Sequence, residues 1–194
     1  MNRLFSTSVY EQKLNLDVDK MTKHFLSMKR KEKGIKKSNI GGWHSPILRN
    51  NYTPLNHLFD EILKVADDYR KILSYKWPLK IDASWVIING YKDYNIEHTH
   101  PDSILSGAYY LTSNNSGITF INPSADAMSY TLDNNDIKDF NEHNSSTYTI
   151  EPLKNTLLLF PSWLKHRVEP NLSKKNRICI SFNLGKGIYP SMGL

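Results

Sequence analysis

His98-Thr99-His100-Pro101-Asp102-Ser103-Ile104-Leu105-Ser106-Gly107-Ala108-Tyr109-Tyr110-Leu111 places two imidazoles and a carboxylate within five residues, then passes directly into an apolar, β-prone run. In a strand, side chains at i, i+2 and i+4 project to one face, so His98, His100 and Asp102 are candidates to meet at one point. Pro101 belongs at a strand edge or end. That puts the group where a strand leaves its sheet, at the rim of a cavity. Two neutral imidazoles beside a carboxylate form a natural shell for a divalent transition metal, and with open positions the set suits non-haem Fe(II). The plain alternative is a surface His-x-His, and a distant third ligand is what would separate the two.

Outward from this stretch the texture is β. Ile81–Ile88, Tyr94–His98, Ile104–Leu111, Ile118–Ile121, Thr147–Ile150, Thr156–Phe160, His166–Val168 and Ile178–Leu184 read as strands. Asn114-Asn115-Ser116-Gly117 reads as a hairpin turn. About eight short strands at this spacing predict a double-sheet jelly roll. Thr156-Leu157-Leu158-Leu159-Phe160 is apolar at successive positions, which predicts burial on both faces. Residues 122–146 are polar with few apolar anchors, a loop of the length expected for a lid.

Ahead of the strands, Leu4 to Tyr10 reads as an edge strand. Asp17 or Asp19 is placed to cap a short helix over Met21, Phe25, Leu26 and Met28. Thr53-Pro54 supplies an N-cap and a first-turn Pro for a helix over about 54–74. Its stripe of Leu55, Leu58, Phe59, Ile62, Leu63, Ala66, Tyr69, Ile72 and Leu73 is the mark of a helix lying on a sheet. The expected organisation is therefore one domain over 1–194. Residues 1–78 form a helical and loop part packed on the barrel, and 79–185 form a jelly-roll core containing loop 122–146.

At 194 residues and 39% hydrophobic content the chain can bury a proper core. It has no apolar run of eighteen residues, hence no expected membrane partner. Met1 to Ser6 lacks a hydrophobic signal core, so a cytoplasmic location is expected (the host's cytoplasm for a phage-encoded chain). The single cysteine, Cys179, excludes an internal disulfide and a cysteine zinc cage. Any metal must be held by His and carboxylate. Six cations against Glu32 put a charge of +5 on residues 29–37, a patch able to attract a polyanion weakly. No aromatic residue interleaves with those charges, and a solvated basic loop is the simpler reading.

The distant partner comes from Phe160-Pro161-Ser162-Trp163-Leu164-Lys165-His166-Arg167-Val168, where His166 opens a strand. Further on, Arg177, Cys179, Ser181 and Asn183 share one face of a strand, and Ile178, Ile180, Phe182 and Leu184 share the other. The apolar face suits a helix, which turns Arg177 into the barrel. A buried guanidinium needs an anion, supplied either by an internal carboxylate or by a ligand held bidentately. Tyr110 has the parity to point its hydroxyl into the same cavity. His24, His44, His57 and His143 have no matching partners and read as surface or packing residues.

His-x-His-Pro with Leu105-Ser106-Gly107-Ala108-Tyr109-Tyr110-Leu111, Phe160-Pro161-Ser162-Trp163-Leu164-x-His166-x-Val168, and Arg177-Ile178-x-Ile180-Ser181-Phe182-Asn183 together resemble a family of Fe(II)- and 2-oxoglutarate-dependent oxygenases of bacteria and phages. Leu4-Phe5-Ser6-Thr7 and Asn39-Ile40-Gly41-Gly42-Trp43-His44-Ser45 also look like that family, so the resemblance spans nearly the whole chain. It implies a double-stranded β-helix with metal between the sheets, and Fe(II), 2-oxoglutarate and O2 as the cofactor set. It implies hydroxylation of a peptide, nucleobase or small metabolite, with release of succinate and CO2. His98 and His166 would be metal ligands. The third would be His100, with Asp102 its rival because His-x-carboxylate is the usual superfamily spacing; the aspartyl/asparaginyl hydroxylase branch manages without the carboxylate. Arg177 would anchor the cosubstrate, with Tyr110 and Ser181 beside it. Two other readings stay open at this point. One is a jelly-roll binding protein using its basic patch, and the other is a three-His metal enzyme that uses no 2-oxo acid.

Overall fold

The computed structural model describes residues 6–48, 52–113, 116–129 and 134–187. β1 (Tyr10–Lys13) leads into α1 (Val18–Lys31), whose N-cap Asp17 accepts from the Asp19 N–H. Two-residue strands β2 (Asn39–Ile40) and β3 (Trp43–His44) precede α2 (Thr53–Ile72). Then come β4 (Leu79–Asn89), β5 (Tyr94–His98), β6 (Leu105–Tyr110) and β7 (Ile118–Ile121). The long polar loop contains a short helix, α3 (Ala125–Ser129), and a 3-10 turn at Asn134–Asp136. β8 (Thr147–Ile150), β9 (Thr156–Pro161), β10 (His166–Val168) and β11 (Arg177–Lys186) complete the chain.

The strands form two antiparallel sheets, one in the order β1-β9-β6-β11-β4-β3 and the other in the order β2-β5-β10-β7-β8. Neighbours distant in sequence, such as β1 with β9 and β5 with β10, are what a jelly roll requires. Helices α1 and α2 cover the outer face of the larger sheet. Their Met21, Phe25, Leu58, Ile62 and Tyr69 pack with Val86, Tyr109, Leu157, Leu159 and Ile180 in one cluster. A second, smaller cluster fills the space between the sheets with Ala108, Tyr110, Phe120, Leu158, Phe160 and Leu164. The alternation expected of β9 is thus observed: Leu157 and Leu159 face the helices, and Leu158 and Phe160 face the barrel interior.

Several expectations need correction. The strand expected over Leu4–Tyr10 begins at Tyr10, where pairing with Leu159 starts; Leu4 and Phe5 lie outside the described residues. The basic run is not all loop, because Lys29, Arg30 and Lys31 form the last turn of α1, where cations suit the helix dipole. The α2 cap falls one residue early, at Tyr52, and Thr53 is already helical; the helix ends at Ile72 rather than 74. Eleven strands are present among the described residues; beyond the eight and the N-terminal edge strand that were expected, the additions are β2 and β3. The hairpin turn expected at 114–117 falls partly outside the described residues, since 114 and 115 are not among them.

Gly107, in the middle of β6, shows how closely the two interiors approach. A Cβ there would sit 2.3 Å from Phe182 Cζ and 2.5 Å from the Leu158 carbonyl oxygen. Only glycine lets the sheet close at that point.

Candidate metal centre

β5 and β10 pair so that His98 lies opposite His166, but the next partner of Val168 is Asn95. β5 therefore carries one extra residue between these pairs. Such a bulge changes which side chains face inward. It lets both Asn95, which is buried, and His98 turn into the barrel although their separation is odd in parity. The strand ends at His98, so His100 arrives by a different route from simple alternation. Its N–H is held by the Ser162 carbonyl at 3.0 Å, on the turn between β9 and β10.

The result is one group of three imidazoles. One ligand atom from each of His98, His100 and His166 lies within 4.8 Å of the other two. Nitrogens bound to a common ion at about 2.1 Å stand about 3–4 Å apart, so a small closure completes the group. Asp102 does not join it. The residue is exposed, with φ +68° in the turn after Pro101.

Burial makes these rings neutral. His166 is pushed down to about 3 by desolvation, with the neighbouring His98 adding to the effect. His100 is pushed down to about 4, again mainly by burial. His98 is lowered for the same reason, partly offset by its bond to Ile96. Neutral imidazole is the form that binds metal. Second-sphere contacts aim two of the rings: His98 Nδ1 donates to the Ile96 carbonyl at 2.6 Å, and His166 Nδ1 donates to the Leu164 carbonyl at 2.9 Å. Each leaves Nε2 with a lone pair. Phe160 packs edge-on to His166, with ring centroids 4.8 Å apart.

Arg177 opens β11 and is almost fully buried. Its Nη1 donates to the Ser116 carbonyl at 3.2 Å and to Ser116 Oγ at 2.7 Å. Its Nη2 is buried with no partner, and no carboxylate lies within ion-pair distance among the described residues. Burial lowers the guanidinium's proton affinity, opposed by the fields of Cys179 and Tyr110 and, less strongly, of Asp93 and Glu169. An orphaned, charged donor inside a barrel is costly unless an anion meets it. Tyr110 is buried in the same interior, and burial raises its hydroxyl far above the usual range while Arg177 pulls it down. Ser181 lies along the same strand, its Oγ 3.9 Å from Cys179 Sγ. Three clustered imidazoles and an unpartnered cationic donor within one barrel fit Fe(II) with a dicarboxylic 2-oxo acid.

Four further residues border the group without having been assigned to it from the sequence. Asn183, Ser106 and Ser162 form a hydrogen-bonded chain ending at His100. Trp85 tilts against His100 and stacks on His44, with centroids 5.8 and 5.6 Å apart. Of the surface and packing alternatives open for His44, the structure shows packing: the ring is buried and stacked on Trp85, beside the site. The inward parity of Trp85 on β4, matching Ser181 on β11, is the signal that could have found it.

A family model described as "Putative 2OG-Fe(II) oxygenase" matches residues 83–183, which is 101 of 194 residues. Comparison with curated protein sequences gives no match. Among solved structures, the chain resembles a prolyl-4-hydroxylase from Pseudomonas putida with TM-score 0.63 at 10% identity, covering 94% of this chain and 95% of that one. HygX from Streptomyces hygroscopicus, solved with nickel and 2-oxoglutarate bound, superposes with TM-score 0.66 at 10% identity over 94% of this chain and 84% of that one. A prolyl hydroxylase from Trichoplax adhaerens, in complex with a hypoxia inducible factor peptide fragment, gives 0.66 at 14% identity over 93% and 84%. At such identities the likeness concerns the fold, a double-stranded β-helix, while the family match covers more than half of the sequence. The chain belongs to the 2OG-Fe(II) oxygenase family.

Proposed function

We propose that this protein hydroxylates a C–H bond of an organic substrate, with His98, His100 and His166 holding Fe(II) and Arg177 receiving 2-oxoglutarate. The observation that carries this reading is the presence, inside one barrel, of three clustered imidazoles and a buried guanidinium with an unpartnered Nη2. Three neutral rings add no negative charge, so an ion they hold favours a dianionic chelator. When bound, iron with 2-oxoglutarate supplies the O2-dependent oxidation that releases succinate and CO2 and places one oxygen on the substrate.

The chain's own part is placement and dryness. Arg177 Nη2 donates to the far carboxylate of the cosubstrate, and Ser116 keeps the other arm of the guanidinium in place. Burial keeps the Tyr110 hydroxyl protonated and therefore a donor to the same carboxylate. Ser181 offers a second hydroxyl on the inward row of β11. Phe120 and Phe160 pack around His166, limiting its motion and its contact with water. Trp85 packs beside His100 and is itself backed by His44.

Mixing anaerobic protein with Fe(II) and 2-oxoglutarate is expected to give a weak visible charge-transfer band, and admitting O2 is expected to yield succinate. Absence of the band, together with no 2-oxoglutarate binding by calorimetry, would end this reading.

A further inference from the structure

His98 and His166 are oriented alike, each with Nδ1 donating to the carbonyl two residues earlier. A carbonyl only accepts, so each neutral ring carries its proton on Nδ1 and its lone pair on Nε2. His100 is held differently. Its Nδ1 faces the side-chain amide of Asn183, with Nδ2 at 3.4 Å. The other end of that amide, Oδ1, accepts from Ser106 Oγ at 2.9 Å, and Ser106 Oγ lies 2.8 Å from Ser162 Oγ. An amide N–H pointing at Nδ1 requires a lone pair there. The His100 proton then sits on Nε2, the reverse of the other two rings.

We propose that Asn183 is the positioning residue for His100, its amide setting which ring nitrogen carries the proton by presenting either its donor or its acceptor end. A half-turn about the last torsion of Asn183 exchanges the two ends without moving the backbone. Ser106 can follow the exchange because a hydroxyl both donates and accepts. In one arrangement it donates to Oδ1; in the other it accepts from Nδ2 and donates to Ser162. The ring stays neutral throughout, since Nε2 releases a proton to solvent as Nδ1 gains one. With Oδ1 accepting from Nδ1–H, all three rings share one tautomer and His100 Nε2 becomes a free donor atom. The third ligand is therefore completed by an internal polar switch, whereas the first two are fixed by backbone.

This inference rests on His100 being a ligand, and the test separates the two claims. Long-range 15N–1H correlations on the metal-free protein report the tautomer of each ring. Wild type is expected to show Nδ1–H for His98 and His166 and mainly Nε2–H for His100. Asn183→Asp offers only acceptors, so His100 should move to Nδ1–H, with Ni(II) bound at least as tightly as in wild type. Asn183→Leu removes both ends of the amide, so His100 should no longer be held in either tautomer and should show a mixture of Nδ1–H and Nε2–H. An identical His100 tautomer in wild type and Asn183→Asp overturns the role of Asn183, whatever the metal does. Should Asn183→Leu fail to fold, the nearly isosteric Asp variant carries the test by itself. A tautomer shift in Asn183→Asp with Ni(II) affinity unaffected by His100→Ala would instead remove His100 from the ligand set and leave its contact with Asn183 standing.

Discussion

Leu157 and Leu158 are neighbours in β9, both fully buried, and they belong to different interiors. Leu157 faces α1 and α2 in a large cluster made almost wholly of aliphatic and aromatic side chains. Leu158 faces a smaller cluster whose surroundings include three imidazoles, an arginine, a thiol and several hydroxyls. The helix side gains free energy from area removed from water, about 1.5–3 kcal/mol for each fully buried large side chain. The barrel side retains polar groups that cost free energy until a ligand meets them, with Arg177 Nη2 the sharpest case. One sheet therefore separates a face that holds the fold from the face proposed to bind.

The largest expected effect is on the barrel side. His166→Ala should lower succinate formation by more than about a thousandfold, since it removes a ligand and the Phe160 contact together. Its thermal midpoint without metal should change by only a few degrees, because the ring is a desolvated polar group contributing little to stability. A Tm fall of the size seen for a core truncation would break the contrast between the two faces. Next comes Arg177→Met, which keeps the stem and deletes the cation. Loss of a charge-assisted pair of this kind costs about 2–4 kcal/mol, so the 2-oxoglutarate Kd should rise about 30–1000-fold. Metal affinity measured without 2-oxoglutarate should stay as in wild type. Equal losses in both would mean that Arg177 shapes the barrel rather than the cosubstrate pocket.

On the helix side the order reverses. Leu58→Ala, at a fully buried position of α2, should destabilise the protein by about 2–5 kcal/mol. Metal affinity in the folded protein should be unchanged, since no atom of α2 belongs to the site. Urea unfolding with and without Ni(II) checks both halves of that statement.

What could be read from the chain follows the same division. Seven buried positions recur along α2 with helical spacing, and β11 alternates over eight residues, so both elements announce their faces. β2 and β3 escaped because two residues cannot display a period. The three histidines were legible as residue types, and Arg177 as a cation in an inward row. The geometry that unites them was not. It depends on a bulge opposite Arg167, which parity counting within β5 has no means of detecting, and on a turn carbonyl that fixes His100. Asn183 was visible as the last inward residue of β11, but its partners Ser106 and Ser162 come from two other chain segments, and only the fold brings them together. Asp102 satisfied the expected spacing and still lies outside the group, since the turn it occupies directs it to solvent.

The smallest effect concerns pH and distinguishes the faces without any mutation in the site. In the folded, metal-free protein His166 is depressed to about 3 and His100 to about 4, against an ordinary value of 6.5. As pH falls below 6.5 the unfolded chain takes up protons that these rings refuse, so stability declines through the window from 6.5 down to about 4 for His100 and about 3 for His166. Above 6.5 both states are neutral and the curve is flat. Between pH 7 and 5.5 His166 alone should cost about 1 kcal/mol, from about 1.4 kcal/mol for each unit of depression. The same decline should appear in Leu58→Ala, displaced downward as a whole, because the titratable groups of its core, Tyr69 and Tyr109, are raised by burial and stay protonated throughout this window. His166→Leu should flatten the decline by about that amount. Saturating Ni(II) should steepen it instead, since the folded complex then excludes protons from all the rings it holds and the unfolded chain does not. A pH profile that is unaltered by His166→Leu would show that these imidazoles are not desolvated in solution. The barrel side would then be an open cleft rather than a closed polar interior, and the contrast drawn across β9 would fail at that point.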